Sequence, residues 1–136
     1  MGRQAEPYQI PDSVKIIGEN AFNNVNVSEI LIPKTVSVIN DGAFAGAKIK
    51  TLNLPGSVTS LGLYLCEDCT ELQSVMIGKG IKSLSYRMFY NCSSLTEVSL
   101  GSTLNTLDSL AFAYCTSLQQ ITIPDNVTQI LNGCFG

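Results

Sequence analysis

Histidine and tryptophan are both missing from this chain of 136 residues. Without histidine there is no Ser-His-Asp or Cys-His nucleophile pair and no imidazole metal site. Charge is scarce as well: 14% of residues are charged, and the net charge is −3. That balance leaves no basic footprint for a phosphate backbone, so nucleic-acid binding is not expected. No apolar run reaches the roughly 18 residues of a membrane span, so nothing reads as a transmembrane helix. No charged segment followed by an apolar stretch opens the chain, so no signal peptide is read. Met1-Gly2-Arg3-Gln4 looks like an expression leader. Residues 1–9 are therefore expected to be an N-terminal extension, with a single domain over 10–136. What is present is apolar content: 45% hydrophobic residues suffice for a core and argue against disorder.

The phenylalanines carry the organising signal. Phe22, Phe44, Phe89, Phe112 and Phe135 recur at a near-constant step, and Cys66 stands where the one missing member would fall. A fixed period of roughly 23 residues along the whole chain indicates a stack of one small unit. The first two units are one residue shorter than the rest. The columns beside Phe repeat too. Ala21, Ala43 and Ala111 precede it, and Val25, Ala47, Cys69, Cys92 and Cys115 follow it at one fixed offset.

Each unit then holds a segment of the form Leu-x-x-Val-x-Leu, whose period-two alternation predicts a short strand. The apolar pairs Ile30/Ile32, Leu52/Leu54, Val75/Ile77, Val98/Leu100 and Ile121/Ile123 are expected to point inward. Pro33, Pro55 and Pro124 end three of these strands, because proline lacks a ladder N–H. Gly78 and Gly101 take that place in the other two. A second pair spaced by three, such as Val36/Ile39 or Ile81/Leu84, predicts a tight corner with a short extended piece. Ala-Phe predicts a short helical turn with Phe plugging the interior. One unit cannot bury its apolar face alone. Each large side chain buried by stacking contributes about 1.5–3 kcal/mol.

Candidate chemistry is thin. Cys66-Glu67-Asp68-Cys69 has the form C-x-x-C, which reads as a redox pair or half a zinc site. The repeat register offers another account: Cys66 replaces Phe, and Cys69 sits in a small apolar core column that suits a free thiol. Catalytic residues, cofactor ligands and metal ligands are all expected to be absent. Glu19, Asp41, Ser85 and Asp108 fall in the turn before Ala-Phe, a weak calcium signal or simply a solvated turn. Asn26-Val27-Ser28, Asn91-Cys92-Ser93 and Asn126-Val127-Thr128 match the N-glycosylation pattern. Tyr64, Tyr86, Tyr90 and Tyr114 lie near loops of the third to fifth repeats. They read either as an aromatic patch for a partner or as rings packed over repeat edges.

The run Leu95-x-x-Val98-x-Leu100, Leu104-x-x-Leu107, Ala111-Phe112-x-x-Cys115 resembles the BspA-like leucine-rich repeat family. The resemblance covers positions 10–135, nearly the whole chain, in about five and a half copies of the unit. It implies a leucine-rich-repeat solenoid with a parallel strand ribbon on the concave face and short helical turns or short strands on the convex side. Departures are Cys66 for Phe, Leu65 and Met88 for Ala, and Gly78 and Gly101 for Pro. Cys66 is expected to leave a local void or to be covered by Tyr64 or Tyr86.

By alternation, the outward residues of the ribbon are Glu29, Leu31, Thr51, Asn53, Ser74, Met76, Glu97, Ser99, Gln120 and Thr122. They form the candidate binding face. The resemblance implies a non-enzymatic adhesion or protein-binding module, cell-surface or secreted, with a host or matrix protein as partner. The alternative is a structural spacer or stalk with no ligand of its own. The chain stops one residue after Phe135 without a polar cap, which predicts truncation within the last repeat or self-association through uncapped ends.

Overall fold

Short apolar segments at a fixed period become short parallel strands. The computed structural model describes residues 6–136, so the expected leader Met1–Gln4 lies outside the described residues. A first ribbon contains β1 (Tyr8–Gln9), β3 (Ile30–Leu31), β5 (Thr51–Leu54), β7 (Ser74–Ile77) and β9 (Glu97–Ser99). β1 pairs with β3, the bridge Glu29–Thr51 links β3 to β5, and β5, β7 and β9 form a continuous ladder, all parallel. The ribbon takes in Tyr8 and Gln9, which the boundary at residue 10 leaves outside it.

A second ladder lines the opposite side of each turn. It contains β2 (Ile16–Ile17), β4 (Val38–Ile39), β6 (Ser60–Leu61), β8 (Ser83–Leu84), β10 (Thr106–Leu107) and β11 (Gln129–Ile130). β2, β4 and β6 pair at one constant step, as Ile17 with Ile39 and Ile39 with Leu61. β8, β10 and β11 pair at a step one residue longer, as Leu84 with Leu107 and Leu107 with Ile130. Between β6 and β8 there is no ladder. The break falls where the turn lengthens. A turn one residue longer cannot stay in register with its predecessor on every side. Here the misfit opens a cleft of about 460 Å³ lined by Ser60, Ser83 and Asp108. The Ser85 hydroxyl crosses the seam instead, donating to the Gly62 carbonyl at 2.7 Å.

The Ala-Phe corner departs from the expected helical turn. No helix occurs among the described residues. Left-handed residues flank the Ala-Phe-x triplet and its equivalents Leu65-Cys66-Glu67 and Met88-Phe89-Tyr90: Asn20 and Asn24, Gly42 and Gly46, Tyr64 and Asp68, Arg87 and Asn91, Leu110 and Tyr114. Left-handed L-residues break an α-helix. The corner bonds within a turn are therefore single reverse-turn bonds, such as Asn23 N–H to Asn20 O and Val25 N–H to Phe22 O, and alternate residues bond to the next turn instead. The N–H of Phe22 donates to Ala43 O at 2.7 Å, Phe44 to Leu65 O at 3.0 Å, and Cys66 to Met88 O at 2.7 Å. Phe89 donates to Ala111 O at 2.8 Å and Phe112 to Cys134 O at 2.7 Å.

These three sides enclose one core. Phe44, Phe89 and Phe112 are buried, as are Ile30, Ile39, Leu52, Leu54, Val75, Ile81, Leu84, Leu104 and Leu107. The rings stack along the axis: Phe22–Phe44 at 5.9 Å, Phe89–Phe112 at 5.4 Å and Phe112–Phe135 at 5.5 Å between centroids. Cys66 interrupts this column. Leu65 and Met88, which replace Ala next to it, are fully buried and return roughly the volume that Phe would occupy, in keeping with core tolerance for volume-conserving exchange. Tyr64 does not fill the site, because it lies on the surface against Tyr86 at 5.7 Å. Gly78 replaces proline for a steric reason. A Cβ there would lie 2.6 Å from Pro55 C and closer still to Leu54 O.

One expected strand is missing. Residues 119–123, around Ile121 and Ile123, form no strand and no main-chain hydrogen bond among the described residues. This outermost segment has a neighbour on one side only, and segments with few contacts fray first.

The Phe column gives a direct stability test. Phe89→Ala should destabilise the chain by about 3–5 kcal/mol in urea unfolding. Phe135→Ala, whose ring is 45% exposed, should lose well under half as much. Equal losses would contradict an axial stack with a closed interior at Phe89.

Candidate functional site

The ribbon's outward residues follow from its register. Thr51 pairs with Ser74 and Ser74 with Glu97; Asn53 pairs with Met76 and Met76 with Ser99. Parallel pairing in this register places Thr51, Ser74 and Glu97 in one row and Asn53, Met76 and Ser99 in the next. Glu29 adjoins Thr51 through the bridge, and Leu31 lies in β3. Met76 is 55% exposed in the middle of the face.

Two open depressions lie along it. One, of about 570 Å³, is lined by Glu29, Leu31 and Asn53 with Gln9, Asp12 and Lys34. The other, of about 620 Å³, is lined by Asn53, Ser74, Met76, Glu97, Ser99 and Gln120, with Thr122 at its far rim. Asn53 belongs to both. The ordered ladder brings eight of the ten candidate residues together, from Glu29 to Ser99. Gln120 and Thr122 face the second depression from irregular backbone instead of a fifth candidate strand. Gln9, Asp12 and Lys34 were not anticipated. Gln9 would have been found had β1 been recognised, since Tyr8-Gln9-Ile10-Pro11 carries the strand-end proline of the later repeats.

Cys69, Cys92 and Cys115 form a separate column inside, while Cys66 stands in the Phe column and Cys134 in the Ala column. All five are free, and Cys66, Cys69, Cys92 and Cys134 are buried. The thiols of Cys69, Cys92 and Cys115 donate to the carbonyls of Phe44, Cys66 and Phe89 at 3.0, 3.2 and 3.2 Å. Each thiol thus bonds the Phe-column residue of the preceding turn, which a small apolar residue such as Val25 or Ala47 cannot do. Burial, reinforced by Cys69, pushes the Cys66 thiol well up, and burial also raises that of Cys92. Burial lifts Cys115 and Cys134 to about 11. Protonated, enclosed thiols are poor nucleophiles and poor metal ligands. Among the described residues no group of three His, Cys, Asp or Glu is placed to hold a metal ion.

On the corner side, Tyr64, Tyr86, Arg87, Tyr90 and Tyr114 form a continuous array. The Arg87 guanidinium carbon lies 3.8 Å from the Tyr90 ring centroid and 5.7 Å from that of Tyr64. Its Nε is 2.8 Å from Glu67 Oε2. Tyr90 and Tyr114 meet edge to face at 5.2 Å.

The repeat and the fold it builds are also found in known proteins. A model of BspA type leucine rich repeat regions matches residues 4–115 in six copies. The chain belongs to this family. Among solved structures, a leucine-rich repeat protein from Eubacterium ventriosum superposes with a TM-score of 0.78 at 27% identity, over 96% of this chain and 42% of that one. A leucine-rich repeat protein from Bacteroides ovatus gives 0.58 at 20% identity, over 95% of this chain and 46% of that one. The leucine-rich repeat protein of Treponema pallidum gives 0.52 at 17%, over 85% and 79%. The last two likenesses concern the fold alone. The chain spans less than half the length of the first two proteins. No curated protein sequence matches it.

Raised thiol pKa values set a pH dependence. An unfolded thiol ionises at about 8.5, whereas burial holds the protons of Cys66, Cys92, Cys115 and Cys134 to higher pH. The contribution of Cys115 and Cys134 to stability is therefore complete below about pH 8.5 and is lost as pH rises toward about 11. At pH 8 the native chain should label slowly with a disulfide reagent, and the chain in guanidinium should label at all five positions. Rapid native labelling of Cys66 and Cys69 would restore the C-x-x-C pair as a reactive site.

Proposed function

We propose that this chain is a non-catalytic protein-binding segment of a surface-exposed or secreted BspA-type leucine-rich repeat protein. It engages its partner along the first ribbon. The observation that carries this reading is the pair of adjoining depressions, which meet at Asn53 and follow the outward residues of consecutive turns. An extended surface of that kind suits a polypeptide better than a small metabolite, which is held in a closed, mostly apolar pocket. Its chemistry is small hydroxyls and amides, the acids Glu29 and Glu97, and Met76 as an apolar point. A host or matrix protein with neutral or basic side chains fits it. Surface location rests on the family resemblance.

A second reading is favoured by the composition of the same strip. None of its ten residues is aromatic or arginine, the usual anchors of a hot spot. A spacer that holds other segments away from the cell surface would present such a face.

The two readings separate on beads coated with the chain and passed over immobilised extracellular-matrix proteins. The binding reading expects retention, and Met76→Asp or Glu97→Lys should reduce it at least about tenfold, because both sit at the centre of the second depression. Retention unchanged in both variants would contradict the concave binding site. No retention by the native chain on any such surface would favour the spacer.

A further inference from the structure

We propose that the tyrosine–arginine array on the corner side of the third to fifth repeats is a second docking surface, for a segment of a partner protein that carries arginine side chains. It lies apart from the first ribbon and does not depend on the reading above.

The fold does not require this array. The same columns in the first two repeats hold Asn20, Asn23 and Asn24, then Gly42, Ala45 and Gly46. Asn20, Asn24, Gly42 and Gly46 donate the same bonds to the following turn as Tyr64 and Arg87 do. From the third repeat onward the columns hold Tyr64, Arg87, Tyr90 and Tyr114. Tyr64, Arg87 and Tyr114 have φ of 58°, 56° and 62°. Asparagine and glycine take that conformation readily, whereas a bulky side chain there is strained. Strain kept at the exposed Tyr64 and Tyr114 is an indicator of function.

Part of the array has a structural task. Tyr64 with Tyr86, and Arg87 with Glu67, bridge the seam where the second ladder is broken. Tyr114 has no such task. It lies one turn beyond the seam, is 60% exposed and touches Tyr90 edge-on.

Arg87 shows what the array accepts. Its guanidinium lies on the face of Tyr90 while the Glu67 carboxylate pairs with it as an ion pair, a stacked and charge-paired arrangement that suits arginine better than lysine. The tyrosine pairs meet at 72° and 75°. They form notches with one ring face and one ring edge, not the coplanar platform that a row of sugar rings would need. The local charge also suits a cation: Glu67 is neutralised by Arg87, and the exposed Asp68 lies in the column of Asn91 and Tyr114, with its carboxylate accepting from Asn91 Nδ2 at 2.9 Å. An incoming arginine would stack on the open face of Tyr114, with Asp68 as the carboxylate of the same column. Tyrosine and arginine are also the residues most enriched where binding energy concentrates.

The test uses the whole chain and a fluorescein-labelled peptide of alternating glycine and arginine, followed by anisotropy. Matched peptides with lysine or glutamate in place of arginine serve as comparisons. Tyr114→Asn and Tyr64→Asn keep residues suited to the left-handed backbone and remove the rings. The arginine peptide should bind, and the lysine peptide should bind several-fold more weakly. Tyr114→Asn should weaken arginine binding at least tenfold with an unchanged or higher melting temperature. Met76→Asp, on the other ribbon, should leave it unchanged.

Four results would overturn the proposal: no binding of the arginine peptide, equal binding of lysine and arginine peptides, arginine binding that survives both tyrosine variants, or an equal loss with Met76→Asp. Tyr64→Asn that lowers the melting temperature while leaving arginine binding intact would assign that end of the array to the seam alone.

Discussion

Main-chain hydrogen bonds between successive turns are the constraint from which the rest of this structure follows. Among the described residues, no turn contains a helix or a hairpin that could satisfy its own backbone. Each therefore depends on its neighbours along three sides: the first ribbon, the second ladder and the Ala-Phe corner. At the corner all the inter-turn bonds point one way, from the N–H of Phe22, Phe44, Cys66, Phe89 and Phe112 to a carbonyl of the following turn. Apolar burial obeys the same rule. Phe44 is sealed because the turns on both sides cover it. Stability of this kind is a sum of nearest-neighbour terms, so a local misfit is confined to one junction.

The junction between the third and fourth repeats is where that confinement is visible. The turn length changes, Cys66 replaces the phenylalanine, and β6 and β8 part. The loss is met by unlike means. Leu65 and Met88 restore volume inside, Ser85 replaces one lost backbone link, and Arg87 with Glu67 and the tyrosines braces the outside. The thiols of Cys69, Cys92 and Cys115 add a further link between turns, since each donates to the carbonyl of the Phe column one turn back. Surface chemistry therefore concentrates at the same place as structural irregularity.

Much of this architecture could be read from the residues. The recurrence of phenylalanine defines the stack, and alternation in Thr51-Leu52-Asn53-Leu54 and Ser74-Val75-Met76-Ile77 correctly separates inward from outward positions. The burial of Cys66 and Cys69 followed from their columns. The corner was not legible, because its left-handed residues are as different as Asn20, Gly42, Tyr64 and Arg87. Side-chain identity shows a positive φ when the residue is Gly or Asn, and hides it when neighbouring turns impose it on Tyr or Arg. The broken second ladder was hidden for a related reason. Leu61 and Leu84 look equivalent in sequence, and only the path between them is longer. Gln120 and Thr122 were placed by analogy with inner strands, and that analogy weakens in a turn with one neighbour.

Trans-hydrogen-bond scalar couplings in an isotopically labelled chain measure the inter-turn bonds one by one. Couplings are expected from the amides of Phe44, Cys66, Phe89 and Phe112 to the carbonyl carbons of Leu65, Met88, Ala111 and Cys134, respectively. Couplings from those amides to carbonyls one helical turn earlier in the same repeat would mean that the corner is helical, and would contradict a solenoid held together turn by turn.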